Sequence, residues 1–516
     1  MSHYKPNPDK NVNLVIDGKP VTVPEGTTIL EAARKINIHI PTLCDHPDLR
    51  RRSVCRLCVV ECDGRGKLVA ACANDVWEGV SIVTTNARIV GIRRTIVELL
   101  LANHPPECLS CIRNTKCELQ TLAENFGIRS VPFRRDPADS RLPETSAGFL
   151  VRDMRKCVKC GRCVEVCQEV QTVRAINSSH RSVKFEICTP YEQALSEGPC
   201  IFCGQCAEVC PVGAIFEHDQ TAEVWAALNS GGQHTAVQIP ATAAEALGGE
   251  LAYPPGIVTG GKMAAALKRM GFDKVFNAAA FADFTIREEC KELTDRIKDK
   301  ARLQGNLQGK LPMIVACSPG WIKFVKEFYP DLMDHVSVSK NPDQAFGSFV
   351  KEKYPETTTV SVMPCLATKH RSRRSEAEKN GCPGVDLVLT VRELARMIRL
   401  AGIDFTNLPE SPFDETGLPI DQAGIPGNNI EAILCKVYEA YRGGTDTPVG
   451  FKDGNEGISE AELDLEGNKI KALLVDGLEN ARKVMDSIRR GECGAAFVAV
   501  RSCPIGCSVN GAAGPW

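Results

Sequence analysis

Cysteine is the residue this sequence uses most unusually. Among 516 residues there are 25 cysteines, crowded between Cys44 and Cys210 and sparse from Cys290 to Cys507. One group reads Cys44-x10-Cys55-x2-Cys58-x13-Cys72, and a second reads His104-x3-Cys108-x2-Cys111-x5-Cys117. Two further runs repeat one spacing, Cys157-x2-Cys160-x2-Cys163-x3-Cys167 and Cys200-x2-Cys203-x2-Cys206-x3-Cys210-Pro211. Met1-Ser2-His3-Tyr4-Lys5-Pro6 has no apolar signal segment, so a cytoplasmic location is expected, where thiols stay free to ligate metals. Thiolates are soft donors suited to iron, and imidazole is a competent iron ligand as well. A structural zinc site is the alternative for the Cys44 and His104 groups.

The elements that must hold these residues are partly legible. Residues 12–24 spell two strands turning at Asp17-Gly18. Thr28 and Glu31 form a capping box ahead of a helix whose face carries Ile29, Ala32, Ala33 and Ile36, so hairpin and helix open a β-grasp domain. Between Asn86 and Ala102, Ile89, Ile92, Ile96, Leu99 and Leu100 predict an amphipathic helix leading into His104. Beyond about Ala222, strands such as Met313–Ala316 and Thr359–Val362 alternate with helices, as in α/β lobes. A net charge of −2 offers no field for nucleic acid. Apolar runs such as Ala495–Val500 are too short for membrane insertion. No Gly-x-Gly-x-x-Gly follows a strand, so flavin and nicotinamide sites are expected on partner subunits.

The first two cysteine groups resemble the 2Fe–2S domain and the one-histidine, three-cysteine 4Fe–4S site shared by respiratory complex I's large iron–sulfur subunit and long FeFe-hydrogenases. The repeated runs resemble bacterial two-cluster ferredoxins, in which the fourth cysteine of each run serves the other cluster. That resemblance implies one cube on Cys157, Cys160, Cys163 and Cys210, and another on Cys200, Cys203, Cys206 and Cys167. Four later stretches resemble the FeFe-hydrogenase catalytic domain: Pro254–Met263, Cys317-Ser318-Pro319-Gly320-Trp321, Met363-Pro364-Cys365 and Cys503-Pro504-Ile505-Gly506-Cys507. The expected architecture is α+β and multidomain. It comprises a 2Fe–2S β-grasp domain (1–85), a histidine-ligated 4Fe–4S domain (86–148), a two-cluster ferredoxin domain (149–221) and a two-lobed hydrogenase-like domain (222–516).

In that family four cysteines hold a cube bridged to a two-iron subsite bearing CO and cyanide. The resemblance implies Cys365, Cys503 and Cys507 as ligands of a further cube. Cys317-Ser318 stands where two cysteines are usual, so either Cys317 ligates or one corner is serine or vacant. The resemblance also implies Glu289, Glu292, Ser337 and Cys317 as remnants of a proton route. Other positions depart from the pattern. Thr368 replaces a lysine that would bond a cyanide, with Lys369 one residue late. Arg371 replaces a glutamate, and Arg501 replaces a methionine against the subsite. Pro426-Gly427-Asn428-Asn429 and Asn510–Gly514 are reduced glycine-rich segments. Lost donors and an added charge make the diiron subsite expected to be absent.

The leading expectation is an electron-transfer subunit with one 2Fe–2S and three 4Fe–4S clusters, plus a fourth cube if the C-terminal site holds one. It would work in a flavin-linked NAD(P)H oxidoreductase. The resemblance implies a complex I-like flavoprotein carrying FMN and small 2Fe–2S subunits as partners, with ferredoxin (electron bifurcation) or a formate dehydrogenase beyond them. An active FeFe-hydrogenase subunit is the alternative, and an iron–sulfur assembly scaffold the third reading. Cys62, Cys188, Cys290, Cys382, Cys435 and Cys493 fit no ligand spacing and read as packed thiols.

Overall fold

The computed structural model describes residues 7, 9–62, 67–133, 142–231, 234–240, 243–302, 310–316, 318–363, 365–372, 384–418, 429–442, 450–452, 454, 457–465 and 468–503. The expected hairpin forms from β1 (Asn11–Ile16) and β2 (Lys19–Pro24). Asp17 and Gly18 between them have φ of 48° and 77°, the two positive values a type I′ turn needs. Helix α1 (Ile29–Lys35) starts at Thr28, whose hydroxyl accepts from the Glu31 N–H while the Glu31 carboxylate accepts from the Thr28 N–H. With β3 (Val59–Cys62), β4 (Lys67–Ala70) and β5 (Ser81–Val83) they form one sheet, ordered β2-β1-β5-β3-β4, in which β1 and β5 run parallel. Cys62 is fully buried in its core.

Helix α2 (Ala87–Ala102) is capped by Asn86 and turns the expected face inward except at Leu99. Ile89, Arg93, Val97 and Ala102 are buried, Ile92, Ile96 and Leu100 are half-buried, and Leu99 is 47% exposed. Arg93 enters the interior to donate to the Val59 carbonyl (2.7 Å). Buried Glu98 accepts from Arg94 (2.9 Å). Helix α3 (Glu118–Asn125) follows the histidine-bearing loop.

The ferredoxin-like segment consists of β6 (Leu150–Arg152), α4 (Arg162–Glu165), β7 (Asn177–Ser179), β8 (Glu186–Cys188), α5 (Gln205–Glu208) and β9 (Ile215–Glu217). β6 pairs with β9 and β7 with β8, both antiparallel. Cys188 ends β8 and donates across the hairpin to the Ser179 hydroxyl (3.0 Å).

The remainder runs α6 (Thr221–Asn229), β10 (Thr235–Ile239), α7 (Ala243–Leu251), α8 (Gly260–Met270), β11 (Lys274–Asn277), α9 (Ala279–Arg302), β12 (Met313–Ala316), α10 (Pro319–Phe328), α11 (Pro342–Lys353), β13 (Thr358–Val362), α12 (Leu366–Ser372), β14 (Leu387–Leu389), α13 (Val391–Leu400), α14 (Asn429–Arg442), β15 (Ile458–Leu465), β16 (Asn468–Asp476), α15 (Gly477–Arg489) and β17 (Phe497–Arg501). Two four-stranded sheets result: β11-β10-β13-β14, all parallel, and β12-β17-β16-β15, in which β15 alone is antiparallel. All five residues of β10 are buried, as expected of a parallel strand covered on both faces. One core joins Phe149, Phe202 and Cys206 of the ferredoxin-like segment to Trp321, Phe324 and Leu366 of this region. Among the described residues no helix is long and apolar enough to cross a membrane.

Candidate metal centres

The loop from α1 to β3 and the end of β4 bring Cys44, Cys55, Cys58 and Cys72 together. The Cys58 and Cys72 sulfurs lie 3.3 Å apart, and the Cys44 thiol touches those of Cys55 and Cys72. Backbone N–H groups of Val54 and Cys55 point at the Cys44 sulfur, and those of Leu43 and Leu57 at Cys55. Such amides favour thiolate over thiol. His104, Cys108, Cys111 and Cys117 line one cleft together with Arg113 and Lys156. Cys108 is exposed and Cys117 buried, and burial pushes the Cys117 thiol up.

In the ferredoxin-like segment, Cys157, Cys160 and Cys163 share a cavity with Cys210 rather than with Cys167. Cys167 adjoins Cys200 and Cys206, and Cys203 adjoins both of those. Backbone N–H groups reach sulfur at Cys157 (from Lys159, 3.4 Å), Cys167 (from Ala175, 3.2 Å) and Cys200 (from Phe202, 3.4 Å). Burial pushes Cys157 up to about 11 and Cys160 and Cys200 up to about 12. Burial also pushes up Cys163, Cys167, Cys203 and Cys206, and the positive charge that iron brings would favour their thiolate forms, so the donor set fits iron–sulfur clusters.

Gly161 and Gly204 open α4 and α5 with φ of 79° and 76°. A Cβ on Gly161 would meet the Arg52 side chain at 2.8 Å, and one on Gly204 would meet the Leu366 Cβ at 2.5 Å. The room these glycines leave is thus filled by neighbouring domains. Arg162, between Cys160 and Cys163, donates to Glu118 (2.9 Å) beside Cys117 and to the Asp45 carbonyl (2.8 Å) beside Cys44. A Cβ on Gly213 would lie 2.6 Å from the Cys111 sulfur. The first two ligand groups therefore both flank the Cys157 group. On the other side the Cys203 thiol neighbours Cys503, and a Cβ on Gly320 would lie 3.6 Å from the Cys203 Cα.

Of the C-terminal ligand candidates, Cys365 and Cys503 are half-buried, while Cys317 and Cys507 lie outside the described residues. So do Cys382, the Arg371 side chain, residues 426–428 and residues 510–514. Ser318 is committed elsewhere: buried, it caps α10 by accepting from the Gly320 N–H (3.2 Å). Thr368 is buried. Lys369 is 1% exposed and donates to Glu393 (2.8 Å) and the His218 carbonyl (3.0 Å). Arg501 was expected to add a charge against the subsite, yet its guanidinium is paired through Nε and Nη2 with both carboxylate oxygens of Asp476. Three of the four residues expected on a proton route, Glu289, Glu292 and Ser337, lie together. Glu292 accepts from Ser337 (2.7 Å) and Ser339 (3.0 Å), and burial beside Glu292 pushes Glu289 up to about 8. The sequence reading passed over Arg296, which pairs with Glu292 and donates to the carbonyls of Lys310 (2.9 Å) and His335 (3.1 Å). Its i,i+4 spacing from Glu292 was the available signal.

Four family models match the chain. Residues 233–512 match the C-terminal domain of the iron-only hydrogenase large subunit, and 9–87 a 2Fe–2S cluster-binding domain. Residues 93–132 match the NADH-ubiquinone oxidoreductase-G iron–sulfur binding region, and 148–216 the ferredoxin-like domain of NADH-quinone oxidoreductase subunit 3. The NADP-reducing hydrogenase subunit HndD of Solidesulfovibrio fructosivorans is 40% identical over 522 residues, spanning 97% of this chain and 88% of HndD. Iron hydrogenase 1 of Clostridium pasteurianum is 34% identical, with the same 97% and 88% spans. A solved variant of FeFe-hydrogenase HydA1 from Chlamydomonas reinhardtii superposes with a TM-score of 0.50 at 26% identity, covering 58% of this chain and 85% of that one.

Proposed function

This chain belongs to the iron-only hydrogenase large-subunit family, with 2Fe–2S and 4Fe–4S domains ahead of the hydrogenase-type domain, and on that footing we propose that it is the electron-transfer subunit of an NAD(P)-linked oxidoreductase complex. The observation that carries this reading is the unbroken contact series of cysteine groups. The Cys44 and His104 groups both adjoin the Cys157 group, which adjoins the Cys200 group, which adjoins Cys503. Bound there, clusters would supply one-electron carriers. We assign a 2Fe–2S cluster to Cys44, Cys55, Cys58 and Cys72. Three cubes fall to His104 with Cys108, Cys111 and Cys117, to Cys157, Cys160, Cys163 and Cys210, and to Cys167, Cys200, Cys203 and Cys206. The chain's own backbone N–H groups reach the sulfurs of Cys157, Cys167 and Cys200, and the inner cysteines are shielded from water.

The C-terminal pocket, in this reading, has lost the diiron subsite and keeps at most a cube on Cys365, Cys503, Cys507 and Cys317. Support comes from the diverted side chains of Ser318 and Lys369, neither of which is available to a ligand there. Partners would be a flavoprotein and small 2Fe–2S subunits, with ferredoxin or a formate dehydrogenase as the further donor or acceptor. One observation favours an active hydrogenase instead: Glu289, Glu292 and Ser337 still converge.

The test is purification of the tagged chain with its flavoprotein partner, followed by EPR during NAD(P)H addition. Reduction of the cluster signals without hydrogen evolution is the expected result. Clusters that stay oxidised, or that pass intact to apo-proteins, would replace this reading with the assembly scaffold.

A further inference from the structure

Arg152 is 5% exposed and closes β6, opposite Ile215 of β9, the strand that follows Cys210. Its backbone N–H and carbonyl both bond Glu144 (2.9 Å each), and its Nη1 pairs with the Glu144 carboxylate. Its Nε–H is buried with no hydrogen-bond partner among the described residues. A buried N–H left without an acceptor is costly, so a retained one points to an acceptor that belongs to the working protein.

What surrounds the guanidinium identifies that acceptor. Its charge acts on Cys157 of one ligand group and on Cys167, Cys200 and Cys206 of the other. Other cations act more locally, Lys159 on Cys157 and Lys323 on Cys200. Ile215, the strand partner of Arg152, lines the cavity around Cys157, whose other walls include Met154, Val158 and Ile187. We propose that Arg152 is a positioning and potential-setting residue shared by the two ferredoxin-like cubes, its Nε–H donating to cluster sulfur and its charge raising both reduction potentials together. Reduction makes each cube more negative, and a buried cation with a fixed donor favours that state. Glu144 limits the effect by partly neutralising the same guanidinium.

The inference rests on assigning cubes to the Cys157 and Cys200 groups. If the unmodified chain lacks two such 4Fe–4S signals, that assignment fails, whatever Arg152 does. Given both signals, EPR-monitored redox titration of the full chain is the measurement. Arg152→Gln is expected to lower both midpoint potentials while leaving those of the 2Fe–2S and histidine-bearing clusters in place. Arg152→Lys, which keeps the charge, should lower them less, and should lose an exchangeable-deuteron coupling seen by pulsed EPR after transfer to D2O. Glu144→Gln should move both potentials upward, and serves if Arg152→Gln fails to retain its clusters. Unmoved potentials, or movement of one cube alone, would overturn the proposal.

Discussion

In the first 220 residues, ligand sulfurs sit on short loops, and buried charges serve as ties between those loops. Arg162 holds the chain beside Cys44 and beside Cys117, and Arg52 fills the space over Gly161 while pairing with Glu165 (2.9 Å). The C-terminal pocket draws its residues from separate strand ends, and its polar side chains have taken local structural work. Ser318 caps a helix, Lys369 neutralises Glu393, and Arg501 pairs with Asp476. A cluster site built from contiguous motifs stands or falls as a unit. If the C-terminal pocket is emptied, as proposed above, assembly from distant segments would allow it to change one side chain at a time while the fold persists.

The sharpest way to break that contrast is infrared spectroscopy of the chain produced with hydrogenase maturation proteins. No iron-bound CO or cyanide bands are expected, with total iron of roughly 14–18 per chain from one 2Fe–2S, three 4Fe–4S and at most one further cube. Clear bands with hydrogen evolution would show that the pocket still works as its relatives' do.

Lys369→Met probes the claim that this lysine is structural. It removes the cation beside the Glu393 carboxylate, which is 0% exposed and keeps the Gln220 and Thr390 N–H donors, and should cost about 3–5 kcal/mol in denaturant unfolding with the front-half EPR signals unchanged. A loss below about 1 kcal/mol would mean the pair is dispensable and the lysine free to serve a ligand.

Glu289 gives a pH signature to the carboxyl pair it forms with Glu292. Its folded value is raised from 4.5 to about 8, so the folded state holds the proton more tightly than the unfolded one. Its contribution is therefore best at low pH and becomes a penalty growing from about 4.5 to 8, then level. Glu289→Gln should leave stability nearly unchanged at acid pH and raise it increasingly up to pH 8; a pH-independent difference would contradict the burial of this carboxyl.

The smallest effect is expected at the surface-most cluster. His104→Cys replaces a neutral ligand by an anionic one and should keep the cube while lowering its potential. An identical redox titration would show that His104 is a neighbour only.

Much of this was legible because local rules were obeyed in sequence order. Asp17-Gly18, Thr28 with Glu31, and the cysteine spacings each specify geometry within a few residues. What stayed illegible depends on partners distant in sequence. Arg93 and Arg162 are buried, and acceptors such as the Val59 carbonyl and the Asp45 carbonyl are announced by no local pattern. Leu99 was assigned to the buried face of α2 because hydrophobicity alone was counted, and it is 47% exposed. Ser318-Pro319 was a readable helix start, serine at the cap and proline in the first turn, though it was weighed only as a ligand corner.

The Arg162 tie also constrains the order of manufacture. Cys160 and Cys163 are each 8% exposed, and the arginine between them is locked to two neighbouring loops. A cube on these cysteines, as proposed above, would have to be delivered before those loops dock, or the docked loops would have to part again to admit it. On that assignment the inner sites would fill before the outer ones, and a chain starved of iron should stall with its N-terminal domain folded but undocked, cleavable between residues that are protected once loading is complete.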